Sequence, residues 1–213
     1  MPLSPYAEPR WPVLLALASI VGLNFALPKS LSLGPRWFLA ALFLTLAVPA
    51  WVAHRRGAEE SAKRFGLLLN GVVTIALVAS LALLIRALPA HKELPLQLLQ
   101  SAGSLWISNV LVFAAWYWRL DSGGAHQRER VALHQDGAFL FPQMALHPDQ
   151  AAKPDCWHPR FIDYLFLAFN TSTALSPTDT QVLSRWAKLL MMTQSLISLT
   201  IFVLLAARAV NIL

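Results

Sequence analysis

Apolar residues in this chain do not alternate with polar ones; they run in long blocks separated by charge or proline. Four blocks stand out: Trp11 to Pro28, Trp37 to Ala53, Phe65 to Leu88 and Leu96 to Trp118. A helix rises about 1.5 Å per residue, so roughly 20 such residues cross the ~30 Å hydrocarbon core of a bilayer. In lipid every backbone N–H and C=O must be satisfied internally, and a closed barrel would require an alternating pattern that is absent here. The blocks therefore predict an all-α integral membrane bundle with no strand domain. Trp11, Trp37, Trp51, Trp116, Tyr117 and Trp118 fall near the predicted span ends, where an aromatic ring can sit at headgroup depth with its polar edge wet. Trp106, inside the fourth block, is the exception.

The pattern breaks after Trp118. Arg119 to Arg160 is rich in charge, histidine and proline and reads as a polar loop, relieved only by the apolar patch Phe139-Leu-Phe-Pro142. That patch is expected to dock onto the helices or onto the membrane interface, since a loop this long seldom lacks a packing or functional role. Phe161 to Ser176 is apolar but short for a crossing, and Asn170, Thr171, Ser172 and Thr173 crowd its end. A polar turn, Pro177-Thr-Asp-Thr180, precedes a long helix from about Val182 to Leu213. The chain thus divides into a four-helix region at 1–118, a polar loop at 119–160 and a C-terminal helical hairpin at 161–213. Segment 161–176 is either a short crossing helix or a re-entrant pore-like helix, giving five or six transmembrane helices. Irregular backbone at membrane depth is tolerated only where protein buries it or water reaches it.

The run from Tyr164 to Asp179, YLFLAFNTSTALSPTD, followed by Ser184-Arg-Trp-Ala-Lys-Leu-Leu190 and an apolar span, resembles the pore module of tetrameric potassium channels. Phe141-Pro142 and Asp179 to Arg185 also resemble the matching turn of a bacterial polytopic membrane-protein family of unknown function. The resemblance covers Phe139 to Leu213. It implies a pore or filter-like segment at Asn170, Thr171, Ser172, Thr173, Ser176 and Asp179, assembled as a homo-oligomer around a path for inorganic ions or small solutes. Where the potassium filter carries glycines, this chain has Ala174, Leu175, Ser176 and Pro177. Non-glycine residues resist positive φ and proline fixes its own φ, so a filter of the usual potassium geometry is not expected.

Composition agrees with the block pattern. Hydrophobic residues make up 56% and charged residues 13%, and the mean hydropathy is +0.52; a soluble globule of this size cannot hide that surplus. The net charge of +6 is spread over short loops, without interleaved aromatics, so it points to membrane orientation and not to nucleic acid. Arg55, Arg56, Lys63 and Arg64 place the second loop in the cytoplasm, and the polar loop carries Arg119, Arg128, Arg130, Lys153 and Arg160. This bias favours six crossings with both termini inside. A re-entrant segment of the potassium-channel kind would instead need the polar loop outside, five crossings and the N-terminus outside. Met1 to Arg10 lacks the look of a secretory signal, so the first span is expected to be retained.

Chemistry is sparse. One cysteine, Cys156, forbids an internal disulfide, and the spacings of His126, His134, His147, Cys156 and His158 match no metal-binding pattern, so neither metal nor cofactor is expected. No phosphate loop, nucleophile elbow or His-Glu-x-x-His occurs, so the chain is not expected to be an enzyme. Gln194 and Ser198 share one face of the last helix at i, i+4, and Asn24, Asn70 and Asn109 sit inside other spans. Such groups face a cavity or another helix, and interhelical hydrogen bonding is the default. Three readings stay open for a multi-pass protein of a bacterial inner membrane: a channel-like pore module, a non-conducting scaffold that docks a partner through Phe139 to Pro142, and a membrane enzyme or small-solute transporter with a polar cavity near Asn70, Asn109 or Gln194.

Overall fold

The computed structural model describes residues 8–32, 34–87, 95–128, 137–145, 157–173 and 179–210. The four apolar blocks form α1 (Trp11–Ala26), α2 (Arg36–Arg55), α3 (Glu59–Ala87) and α4 (Pro95–Leu120). Pro12 opens α1, where its missing N–H costs nothing. α3 begins before the apolar block, at Glu59, because Glu59 and Glu60 suit the positive end of the helix dipole and extend the helix into polar territory. The α2–α3 turn is tight. Gly57 takes φ +71°, and the N–H groups of Gly57 and Ala58 donate to the carbonyls of His54 (3.1 Å) and Ala53 (2.9 Å), which closes α2 with a paired cap.

α4 is the hub, packing against α1, α3 and, further along the chain, the C-terminal helices. In its most apolar window 61% of residues are buried, against 6% in α2, which lies on the outside with Trp37, Phe38, Leu44, Val48 and Trp51 exposed. Four helices are long and apolar enough to cross a membrane: α2, α3, α4 and the C-terminal helix. α1 is an apolar helix too, but shorter.

At the end of α4 the chain reverses through Ser122 (φ 50°), Gly123 (φ 76°) and Gly124 (φ 101°). Then follow the single turn α5 (Ala125–Arg128), strand β1 (Phe139–Leu140), the single turn α6 (Pro142–Ala145), α7 (Phe161–Thr173), strand β2 (Gln181–Val182) and α8 (Arg185–Val210). β1 and β2 pair antiparallel, Phe139 opposite Val182 and Leu140 opposite Gln181, with Leu183 N–H donating to Ala138 C=O at 2.8 Å. No strand was expected from the apolar pattern; this two-residue pair clips the polar loop to the segment that precedes α8. Residues 174–178, with Ser176 and Pro177, lie outside the described residues, as do His134, His147 and Cys156.

The directions of the last helices follow from their contacts. α4 runs antiparallel to α8, since Tyr117 meets Gln194 and Trp106 meets Phe202. It also runs antiparallel to α7, since Asp121 meets Tyr164 and Trp106 meets Phe169. α7 and α8 therefore run parallel, side by side: Tyr164 and Trp186 both touch the Phe139 ring, and Thr171 lies beside Ser195. Both helices set out from the end of the bundle where α1 and α3 begin and α2 and α4 finish. β2, eight residues beyond Thr173 in sequence, lies at that same end, paired with β1.

Candidate functional site

Two polar clusters are built around α4. The first lies between α4, α7 and α8, and its centre is Gln194, fully buried. Gln194 Nε2 donates to Ala168 C=O and to Ser172 Oγ, each at 2.7 Å, while its Oε1 accepts from Tyr117 O–H at 2.5 Å. Asn109 Nδ2 donates to Ser198 Oγ (2.9 Å) and to Gln194 C=O (3.2 Å). Ser195 O–H donates to Thr171 C=O at 3.2 Å. Ser172, from the expected filter segment, is thus brought together with Gln194 and Ser198, for which interhelical bonding was the default, and the three face one another inside one chain. The expected polar face of α8 is a seam.

The rest of the expected filter segment behaves differently. Thr171 is half-buried and Thr173 exposed, and each hydroxyl donates back to its own helix, at Leu167 and Phe169. Asn170 is half-buried and Asp179 exposed. Asn70 is buried in α3, yet neither amide atom has a partner, whereas Trp116 Nε1, nearby on α4, donates to Thr74 Oγ1 at 2.9 Å. An interhelical amide bond, expected for all three span asparagines, is made by Asn109 only among the pairs described.

The second cluster seals the end of α4. Asp121 is buried and accepts from Tyr164 O–H at 2.5 Å and from Ala138 N–H at 2.6 Å. Arg128, also buried, donates to the carbonyls of Trp118 and Asp121, both at 2.9 Å, and pairs with Glu8 at 3.0 Å. Phe139 sits beneath, at 1% exposure, in ring contact with Tyr117, Phe141, Tyr164 and Trp186. The Phe139 to Pro142 patch therefore docks onto the helices. Asp121, Arg128, Tyr117 and Tyr164 went unnoticed in the sequence as a group, because charges just past a span end read as solvated loop. At the start of α7, Asp163 accepts from Arg160 N–H at 2.7 Å; partial burial pushes its carboxyl above the usual range, more than Arg160 lowers it.

Beside this seal a cavity of about 540 Å³ opens between the starts of α1 and α3 and the ends of α2 and α4. Arg10, His54, Arg55, Lys63 and Arg119 line it, with Trp11, Trp51 and Trp118. Arg10 donates to His54 Nδ1 at 3.0 Å, Arg55 stacks over the Trp51 ring, and His126 lies against the Glu59 carboxylate. No group of three or more metal-ligating side chains occurs among the described residues. Compared with known protein families, with characterised proteins and with solved structures, the chain matches none.

Proposed function

We propose that this is a multi-pass bacterial membrane protein whose C-terminal third is a re-entrant pore-type module, working as a homo-oligomer that lets small ions or solutes pass. The observation that carries this reading is the parallel course of α7 and α8 from one end of the bundle. A helix of 13 residues rises only about 20 Å, too little to cross, and a chain that returns to its starting side before a full-length span has the arrangement of a pore helix, a return segment and an inner helix. With α1 as a fifth span, the protein crosses five times.

Charge then sets the orientation. Arg10, Arg55, Arg56, Lys63, Arg64, Arg119, Arg128, Arg160, Arg185 and Lys188 all gather at the end from which α7 departs. The opposite end carries Lys29, Arg36, Arg86 and, in the last turn of α8, Arg208. The positive-inside bias puts the α7 end in the cytoplasm. A re-entrant helix inserted from the cytoplasmic side removes the conflict between charge and re-entrant geometry, which arises only if α7 must insert from outside as in potassium channels.

One α7 cannot enclose a path. α8 leaves Leu189, Met192, Thr193, Leu196 and Leu199 exposed along its outer face, so a ring of copies meeting on that face would bring Asn170, Thr171, Thr173 and Asp179 toward a common axis. Ser172, Gln194 and Ser198 hold the module together behind it. Phe139 and Phe141, the aromatic part of the surface that the scaffold reading would use, are buried under their own chain. A solute site at Gln194 has no free side-chain atom to offer, as both are bonded within the chain. The test is ion flux into liposomes: flux should appear with purified protein and fall when Thr171 and Thr173 are changed to valine. A strictly monomeric, non-conducting protein would refute the reading.

A further inference from the structure

The cavity at the basic end holds a cation with no counter-ion among the described residues. Arg119, on the last turn of α4, reaches across α3 at Gly66, where an added Cβ would run into the guanidinium. Its Nε is buried and has no hydrogen-bond partner, and no carboxylate pairs with it among the described residues. The acids that line the cavity are engaged elsewhere, Glu59 with His126 and Glu60 with Arg64. Arg10 lines the same cavity, so two guanidiniums share one recess. A guanidinium half withdrawn from water and facing a like charge needs an anion, and its planar fork matches phosphate oxygens.

We infer that this cavity binds the phosphate of an anionic lipid headgroup, with Arg119 as its principal contact. The source is read from the walls. The cavity lies at the level of the span ends, Trp11 and Trp51 on its rim are 64% and 50% exposed, and α2 beside it keeps an exposed apolar face with Leu44 and Val48. Acyl chains would lie along that helix while the headgroup turns in between α1, α2 and α4. Basic pockets between transmembrane helices at the cytoplasmic side hold anionic headgroups in this way, and the inference does not depend on whether the protein conducts.

The test uses the full chain in a non-ionic detergent, titrated with phosphatidylglycerol, phosphatidylcholine or inorganic phosphate while the thermal midpoint and the lipid retained in native mass spectrometry are followed. Phosphatidylglycerol should raise the midpoint saturably and be retained; phosphatidylcholine should do neither. Arg119→Gln should weaken the effect at least about tenfold, the loss of one charge-assisted contact, and Lys63→Gln, on the exposed rim, should weaken it less. If Arg119→Gln does not fold, Gly66→Ala displaces the guanidinium without removing its charge and should give the same loss. Equal response to the two lipids, or full binding by Arg119→Gln or by Gly66→Ala, overturns the proposal. Saturation by inorganic phosphate that blocks phosphatidylglycerol overturns the lipid source and leaves a soluble-anion site.

Discussion

Gln194 shows how a polar residue in an apolar span is read at the scale of one side chain. Its amide makes three hydrogen bonds to two other helices, so truncation would orphan Tyr117 O–H, Ser172 Oγ and a buried carbonyl. Gln194→Ala is expected to cost about 1–3 kcal/mol of stability. Thr193→Ala, one residue away, removes only a bond to its own helix and should change stability by less than about 0.5 kcal/mol. Chemical denaturation of the two variants in detergent checks the contrast. Gln194, Ser198 and Asn109 were legible because a polar group amid leucines is costly and must find a partner. Tyr117 was not, since an aromatic ring near a span end is equally at home in the headgroup region. Asp121 and Arg128 were not, because nothing in their spacing announces that the chain folds back over them.

Elements carry the next lesson. α1 to α4 were legible to within a few residues, apart from the charged turns that open α3, because apolar length and helix length coincide in a bilayer. The course of α7 was not legible from composition, as the apolar run Phe161 to Ser176 reads equally as a short crossing and as a re-entrant helix, and its own residues do not say which way its neighbour α8 runs. What decides it are contacts distant in sequence: Tyr164 with Asp121, and Thr171 with Ser195. In a background with Cys156→Ser, the pair Thr171→Cys and Ser195→Cys should cross-link efficiently within one chain. An antiparallel α7–α8 hairpin would instead bring Ser195 toward the start of α7, so an Ile162→Cys partner cross-linking better than Thr171→Cys would refute the parallel course. The Phe139 anchor belongs to this scale as well. Phe139→Ala removes a ring packed among Tyr117, Phe141, Tyr164 and Trp186 and should cost about 3–5 kcal/mol. Faster proteolysis of the polar loop, with α1 to α4 left intact, is the expected sign.

For the whole molecule, charge and chain direction together give an account that neither gives alone. The basic residues collect at the end where α1, α3, α7 and α8 begin, so the proposed five crossings would put that end in the cytoplasm and the end of α8 outside. The six-crossing reading favoured by charge bias alone keeps both termini inside. Labelling intact cells with a membrane-impermeant maleimide separates the two, using the natural Cys156 in one protein and Leu213→Cys with Cys156→Ser in another. The account predicts that Cys156 is protected until lysis while the cysteine at 213 is labelled from outside. Protection of both would make Phe161 to Thr173 part of an ordinary crossing and contradict the re-entrant module.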